Sequence, residues 1–202
     1  MPAPVDICNL ALSHLGVSTE IQTLETERSQ EAQAARRFYA TTRDQVLRDF
    51  PWPFASATAA LALVEEEPTS EWAYSYRMPA GCLKFRRILS GAGRVETPDT
   101  RVPYRILGDD AGALLFTDQA DAEGEWTRRV ENTEHWPPDA VLAFSLLLAS
   151  FLAPRVTGGD QFKLGARALQ VYAVLIARAQ AQAIGEESAD RPAESEFVTV
   201  RG

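Results

Sequence analysis

The chain has 202 residues, enough for one domain with a sizeable core, and carries a formal net charge of -8 with a pI near 4.9. A general nucleic-acid binder needs a concentrated basic surface to release phosphate counterions, so this balance excludes that class and leaves DNA a glancing contact at most. The cysteines, Cys8 and Cys82, lie far apart with no CxxC partner, which excludes a disulfide framework and a zinc knuckle and leaves them as buried free thiols.

The opening Met1-Pro2-Ala3-Pro4-Val5-Asp6 lacks a basic stretch followed by an apolar one, so no secretory or transit segment is expected and the protein is expected in the cytosol. A first helix is predicted from Pro4 or Val5 to Leu15, with proline suited to its first turn, Gly16 to its C-cap, and Ile7, Leu10, Ala11 and Leu15 as the apolar face. After a linker carrying Ile21 and Leu24, Ser29 is placed to cap a second helix with Phe38, Val46 and Leu47 as apolar positions. That helix must stop before Pro51. In Phe50-Pro51-Trp52-Pro53-Phe54 each proline removes a donor and pushes its predecessor toward extended geometry, which predicts an aromatic-anchored corner.

From about Ala55 to Asn132, short β-branched or aromatic segments alternate with Gly, Pro and Asp, as in small antiparallel sheets. The predicted strands are Ala59 to Val64, Trp72 to Arg77, Leu83 to Leu89, Tyr104 to Leu107, Ala113 to Thr117 and Glu125 to Val130. A third helix begins near Pro137 or Pro138. Its apolar run Ala140 to Ala153 is too short to cross roughly 30 Å of hydrocarbon, and its apolar residues circle the axis, so it must be surrounded by other helices or by a neighbouring subunit. A fourth helix, about Gln161 to Ile184, carries Leu164, Ala168, Val171 and Leu175 at helical spacing, with alanines that permit close approach. Beyond Gly185 the composition turns to Glu, Asp, Ser and Pro, then ends in Phe197-Val198-Thr199-Val200-Arg201, whose alternation suits a strand added to some other sheet. The expected architecture is α+β, mainly α. In it residues 1–54 and 133–185 form a four-helix bundle, 55–132 an inserted small antiparallel β domain, and 186–202 an extended arm.

Residues able to do chemistry are few. His14 and His135 are the only histidines, neither in a metal-binding spacing, and no nucleophile elbow accompanies His135 with Ser145 or Asp139. Gly158-Gly159 and Gly91-Ala92-Gly93 match neither a P-loop nor a dinucleotide fingerprint, and Asp109-Asp110, Asp118 and Asp121 stand beside glycines where Asp builds turns. Lys84, Arg86 and Arg87 flank Phe85 as the solvated side of a strand. What is enriched is interface chemistry. Trp52, Trp72, Tyr74, Tyr76, Trp126 and Trp136 fall at corners or in the β-rich middle and serve either as interface anchors or as local core, with Phe197, Val198 and Val200 of the arm as further contact candidates.

Ile7-Cys8-Asn9-Leu10-Ala11-Leu12 with Leu15-Gly16, then Glu31-Ala32, Phe38-Tyr39, Arg43-Asp44 and Phe50-Pro51-Trp52-Pro53-Phe54-Ala55, resemble the opening of tail tubular protein A, a family of head-to-tail adaptors of short-tailed bacteriophages. The resemblance continues through Trp72, Tyr74, Tyr76, Met78-Pro79-Ala80, Cys82-Leu83, Leu115, Thr117-Asp118, Trp126-Thr127 and Trp136-Pro137-Pro138, and stops before the arm. Gly81 stands where that pattern carries an acidic residue, and Trp126 where it carries a tyrosine. The resemblance implies a virion protein assembled in the host cytoplasm, a ring commonly of twelve subunits between the portal and the downstream tail (nozzle) protein. It implies double-stranded DNA passing through the channel without specific binding, no cofactor, no catalysis and no membrane. The acidic balance suits a channel that lets DNA slide. The other readings left open are a head-completion connector of a long-tailed phage or gene-transfer particle, and a tail-associated glycan hydrolase using two of the many carboxylates.

Overall fold

The computed structural model describes residues 3–91 and 100–187. Its elements in chain order are α1 (Pro4–His14), α2 (Gln30–Asp49), a single 3-10 turn (Pro53–Ala55), β1 (Ser56–Ala60), β2 (Ala62–Thr69), β3 (Trp72–Arg77), β4 (Cys82–Ile88), β5 (Arg105–Asp109), β6 (Gly112–Thr117), β7 (Glu123–Arg128), α3 (Pro138–Val156) and α4 (Leu164–Glu187).

Local chemistry sets the helix ends. At the start of α1 the Asp6 carboxylate accepts the Ala3 N–H at 2.8 Å, satisfying one of the donors a helix start leaves free. At its end Gly16 adopts φ 70°, and the N–H groups of Gly16 and Val17 return to the carbonyls of Ser13 and Leu12. That 5→2 and 6→1 pairing needs a left-handed residue, which glycine supplies without strain. The Asn9 amide then holds Ile21 from both sides, accepting its N–H at 2.8 Å and donating to its carbonyl at 3.0 Å, so a side chain of the connecting loop is seated in the core. Ser29 caps α2 by accepting the Ala32 N–H, and the proline-rich corner ends the helix at Asp49.

α3 lies among α1, α2 and α4, and buries Ala143, Phe144, Leu147, Leu148 and Leu152 against them. It continues past the apolar run to Val156, with Pro154 inside its last turn. By length and composition α3 is long and apolar enough to cross a membrane, but most of that apolar surface faces the other helices. The α3–α4 turn is tight. Gly158, Gly159, Asp160 and Lys163 all take positive φ, and the Asp160 carboxylate accepts the Gly165 N–H at 3.1 Å. A Cβ on Gly165 would lie 2.5 Å from the Cβ of Ala153, so this glycine is what lets α4 begin against α3.

The expected mainly helical four-helix bundle with a small β insert is overturned. The chain is α+β: the described residues form four helices and two antiparallel sheets, of three and four strands, ordered β1-β7-β4 and β2-β3-β6-β5. The decisive residue is Leu61. Ala59 to Val64 reads as one strand, yet it breaks at Leu61, whose side chain is buried and whose N–H donates to the Ala122 carbonyl at 2.8 Å. Before the break β1 pairs with β7, and after it β2 pairs with β3 in the other sheet. The two sheets thereby share a core of Leu61, Tyr76, Phe85, Ile88, Leu115, Ala122 and Trp126, separate from the helical core. Of the expected arm, 186–202, Glu186 and Glu187 are the last residues of α4, and the rest, with Phe197, Val198 and Val200, lies outside the described residues.

Gly124 on β7 sits under the Phe85 ring. A Cβ there would meet the ring at 2.6 and 2.9 Å and Leu61 at 3.1 Å. Gly124→Ala is expected to destabilise the protein by about 1–3 kcal/mol, the usual cost of overpacking. Urea denaturation checks this, and an unchanged midpoint would mean that the ring has room to turn aside.

Candidate interaction surfaces

The aromatic side chains proposed as anchors mostly point inward. Trp52 is buried, donates its indole N–H to the Val46 carbonyl at 2.9 Å and packs edge-on against Phe50. Trp136 is buried between Phe54 and Phe144. Tyr76 is buried with its hydroxyl donating to the Gln119 carbonyl and accepting the Ala122 N–H, and Trp126 closes the same sheet core. These four are buried in the cores of this chain, the second of the two roles left open for them. Aromatic rings bury the most area per residue, and a β unit with few other large side chains has to fill its interior with them. Trp72 is half-buried beside Glu71 and Asp118, and its indole nitrogen meets no acceptor among the described residues.

The titratable groups hold the fold together. The Ser145 hydroxyl lies 2.9 Å from the Leu142 carbonyl and 3.1 Å from His14 Nε2, and Ser145 itself is fully buried in the helical core. Burial pushes the His14 imidazole below its ordinary range. It pushes the Cys8 thiol up to about 12, which leaves that thiol protonated and inert. Asp109 forms a two-pronged ion pair with Arg77 at 2.8 and 2.9 Å and also accepts the Ala111 N–H, and the hydrogen bond from Arg77 holds its carboxyl below the usual range. Asp118 accepts the Ala73 N–H. Of the basic cluster, Arg86 donates to Thr127 Oγ1 and Arg87 pairs with Glu125 at 2.7 Å. Among the described residues no group of three His, Cys, Asp or Glu side chains is placed to hold a metal ion.

Among the described residues, two surfaces join uncovered apolar side chains to a hollow; Ile106 and Leu107 on β5 and Phe162 before α4 are exposed elsewhere. The first lies where α1 and α4 flank α3. A groove of about 280 Å³ is lined by His14, Leu142, Leu146, Arg167, Ala168 and Val171, and Leu10, Leu142, Val171 and Val174 stand exposed around it. The sequence pattern counted Leu10 and Val171 into buried faces. The rest of each face is buried or packed on the core as expected, Ile7, Ala11 and Leu15 on α1 and Leu164, Ala168 and Leu175 on α4, joined by Cys8 and Leu12 on α1 and Tyr172 and Ile176 on α4. The rotation of α4 follows from Tyr172, whose hydroxyl donates to Asp49 Oδ2 at 2.6 Å and so turns that edge of α4 toward α2.

The second surface is the outer edge of β2. Paired among the described residues with β3 alone, this strand exposes Leu63 and Val64 and continues into Glu65, Glu66 and Glu67. Beside it a hollow of about 330 Å³ is walled by Tyr74 and Tyr76 and edged by Leu63, Glu66 and Asp121. Sequence reasoning missed both surfaces. The available signal was the spacing of Arg167, Val171, Val174 and Arg178, and the acidic run directly after two apolar strand residues. No family model matches the chain, and no curated protein matches it.

Proposed function

We propose that this protein is a structural subunit of an adaptor ring that joins a bacteriophage portal to the downstream tail protein, assembled in the host cytoplasm and carried in the virion at the head-to-tail junction. The observation that carries the reading is the pair of uncovered apolar surfaces. Leu142 is 39% exposed, Val174 51% and Leu63 50%, although the same chain has filled two cores. Apolar surface grouped in this way around a groove marks contact with another macromolecule. The resemblance of the N-terminal and aromatic motifs to tail tubular protein A supports the particular assembly, and the net charge of -8 suits a channel wall past which DNA slides.

The test is a tagged pull-down from a lysate containing the parent particle, with the copies of this chain counted against the portal by mass spectrometry. Recovery with portal and tail proteins, in copy number near that of the portal, is the expected result. Recovery without virion proteins overturns the adaptor reading.

A further inference from the structure

The two uncovered surfaces are unlike each other and complementary. On α4, Arg167, Val171, Val174 and Arg178 recur at spacings of four, three and four, which puts them on one flank of the helix. All four are exposed, and no acidic residue occurs in α4 before Glu186. The flank is therefore an apolar pair with a guanidinium at each end, bordering the groove over α3. On β2, Leu63 and Val64 precede three glutamates; the register with β3 puts Leu63 and Glu66 on the face of Tyr76 and Tyr74 and Glu65 on the other face, and among the described residues the strand's outer edge is unpaired. The adjacent hollow is lined by the partly exposed Tyr74 and by the Glu66 and Asp121 side chains, with Tyr76 buried behind them. An aromatic ring beside carboxylates suits a guanidinium, which stacks on the one and donates hydrogen bonds to the other. The helical stripe spans about 16 Å at 1.5 Å per residue, so it covers only part of β2, which spans about 26 Å at 3.3 Å per residue.

We infer that the α4 flank of one copy docks on the β2 edge of the next copy, with Val171 and Val174 against Leu63 and one of the two arginines beside Glu66, Asp121 and Tyr74 in the hollow. Like-with-like pairing is disfavoured by charge. Two α4 flanks would bring arginines together, and two β2 edges would oppose glutamates. The contact is thus between different patches of identical chains, and each copy keeps one free patch of each kind. Repetition of such a contact either closes into a ring or runs on as a filament. Assigning it to a ring rests on the adaptor reading; the contact itself does not.

The test compares the full-length chain with R167E/R178E and with E65K/E66K by sedimentation velocity, with thermal melts to show that each variant is folded. At about 100 µM the wild type is expected to self-associate, a range in which even a weak interface is populated. Each double variant alone should associate at least about tenfold more weakly, the size of effect expected when like charges face one another across an interface. Mixing the two variants should restore association, because the glutamate-bearing α4 flank then meets the lysine-bearing β2 edge while the unaltered patches meet each other. Three results overturn the inference: a monomeric wild type, association unaffected by either swap, or a mixture that stays dissociated. The portal pull-down separates the two ideas. Portal recovery with no effect of the swaps on self-association discards this contact and keeps the adaptor. Rescue in the mixture without portal recovery does the reverse.

Discussion

Trp52→Ala is expected to cost about 3–5 kcal/mol of folding stability, the range for removing a buried tryptophan from a core. Two losses combine. The ring, 1% exposed, is the first of a run of aromatic contacts from the end of α2 into α3: Trp52 on Phe54 at 6.1 Å, Phe54 on Trp136 at 5.2 Å, Trp136 on Phe144 at 5.6 Å. The indole N–H also satisfies the Val46 carbonyl, one of the last carbonyls of α2, which have no partner within the helix. Trp52→Phe retains most of the packing and loses the hydrogen bond, so its cost should fall to about 1–2 kcal/mol. Urea unfolding of both variants checks the pair of values. The comparison also decides between core and interface. An interface anchor truncated to alanine would leave stability within about 0.5 kcal/mol of wild type and weaken assembly alone. Here assembly should fall only in proportion to the unfolded fraction.

The parts of the fold legible in the sequence are those set by neighbours in the chain. Ser29 as a cap, Gly16 as a left-handed stop and the prolines at 51 and 138 are each read by a backbone group a few residues away, and each predicted helix end lies close to the observed one. Which way a helix turns is a longer-range matter. In α4, alanines and aliphatics occupy nearly every direction, so Leu164, Ala168, Val171 and Leu175 looked as good a face as any. The choice was made by Tyr172 reaching Asp49 on α2 and by Gly165 fitting against Ala153 on α3. The division of the β unit into two sheets was hidden for the same reason. Leu61 looks like any alternating strand residue until Ala122, far along the chain, takes its N–H. The candidate surfaces were half legible. The stripe and the acidic run are printed in the sequence, but their exposure is a property of the packing, and the more conspicuous aromatics drew the reading toward residues the cores required.

Tyr76→Ala is expected to be the most damaging single change in the β unit, at about 3–5 kcal/mol by analogy with other large buried aromatics. The side chain is 2% exposed, lies between its neighbours Leu63 on β2 and Leu115 on β6, and packs in the core that both sheets share. Its hydroxyl donates to the Gln119 carbonyl at 2.9 Å and accepts the Ala122 N–H at 3.3 Å, so truncation strands two backbone groups where β6 crosses to β7. Tyr76→Phe isolates that polar share and should cost about 1–3 kcal/mol, the penalty for leaving buried groups unpaired. Hydrogen exchange locates the damage. The buried residues of the β unit form a cluster apart from the helical core, so in Tyr76→Ala the amides of β3 and β6 should exchange faster while those in the middle of α3 keep their protection. A rise of equal size in α3 would show that the two cores open together. Tyr76 would then support the α4 groove as much as the hollow beside it, and loss of self-association in this variant could not be assigned to the β2 edge.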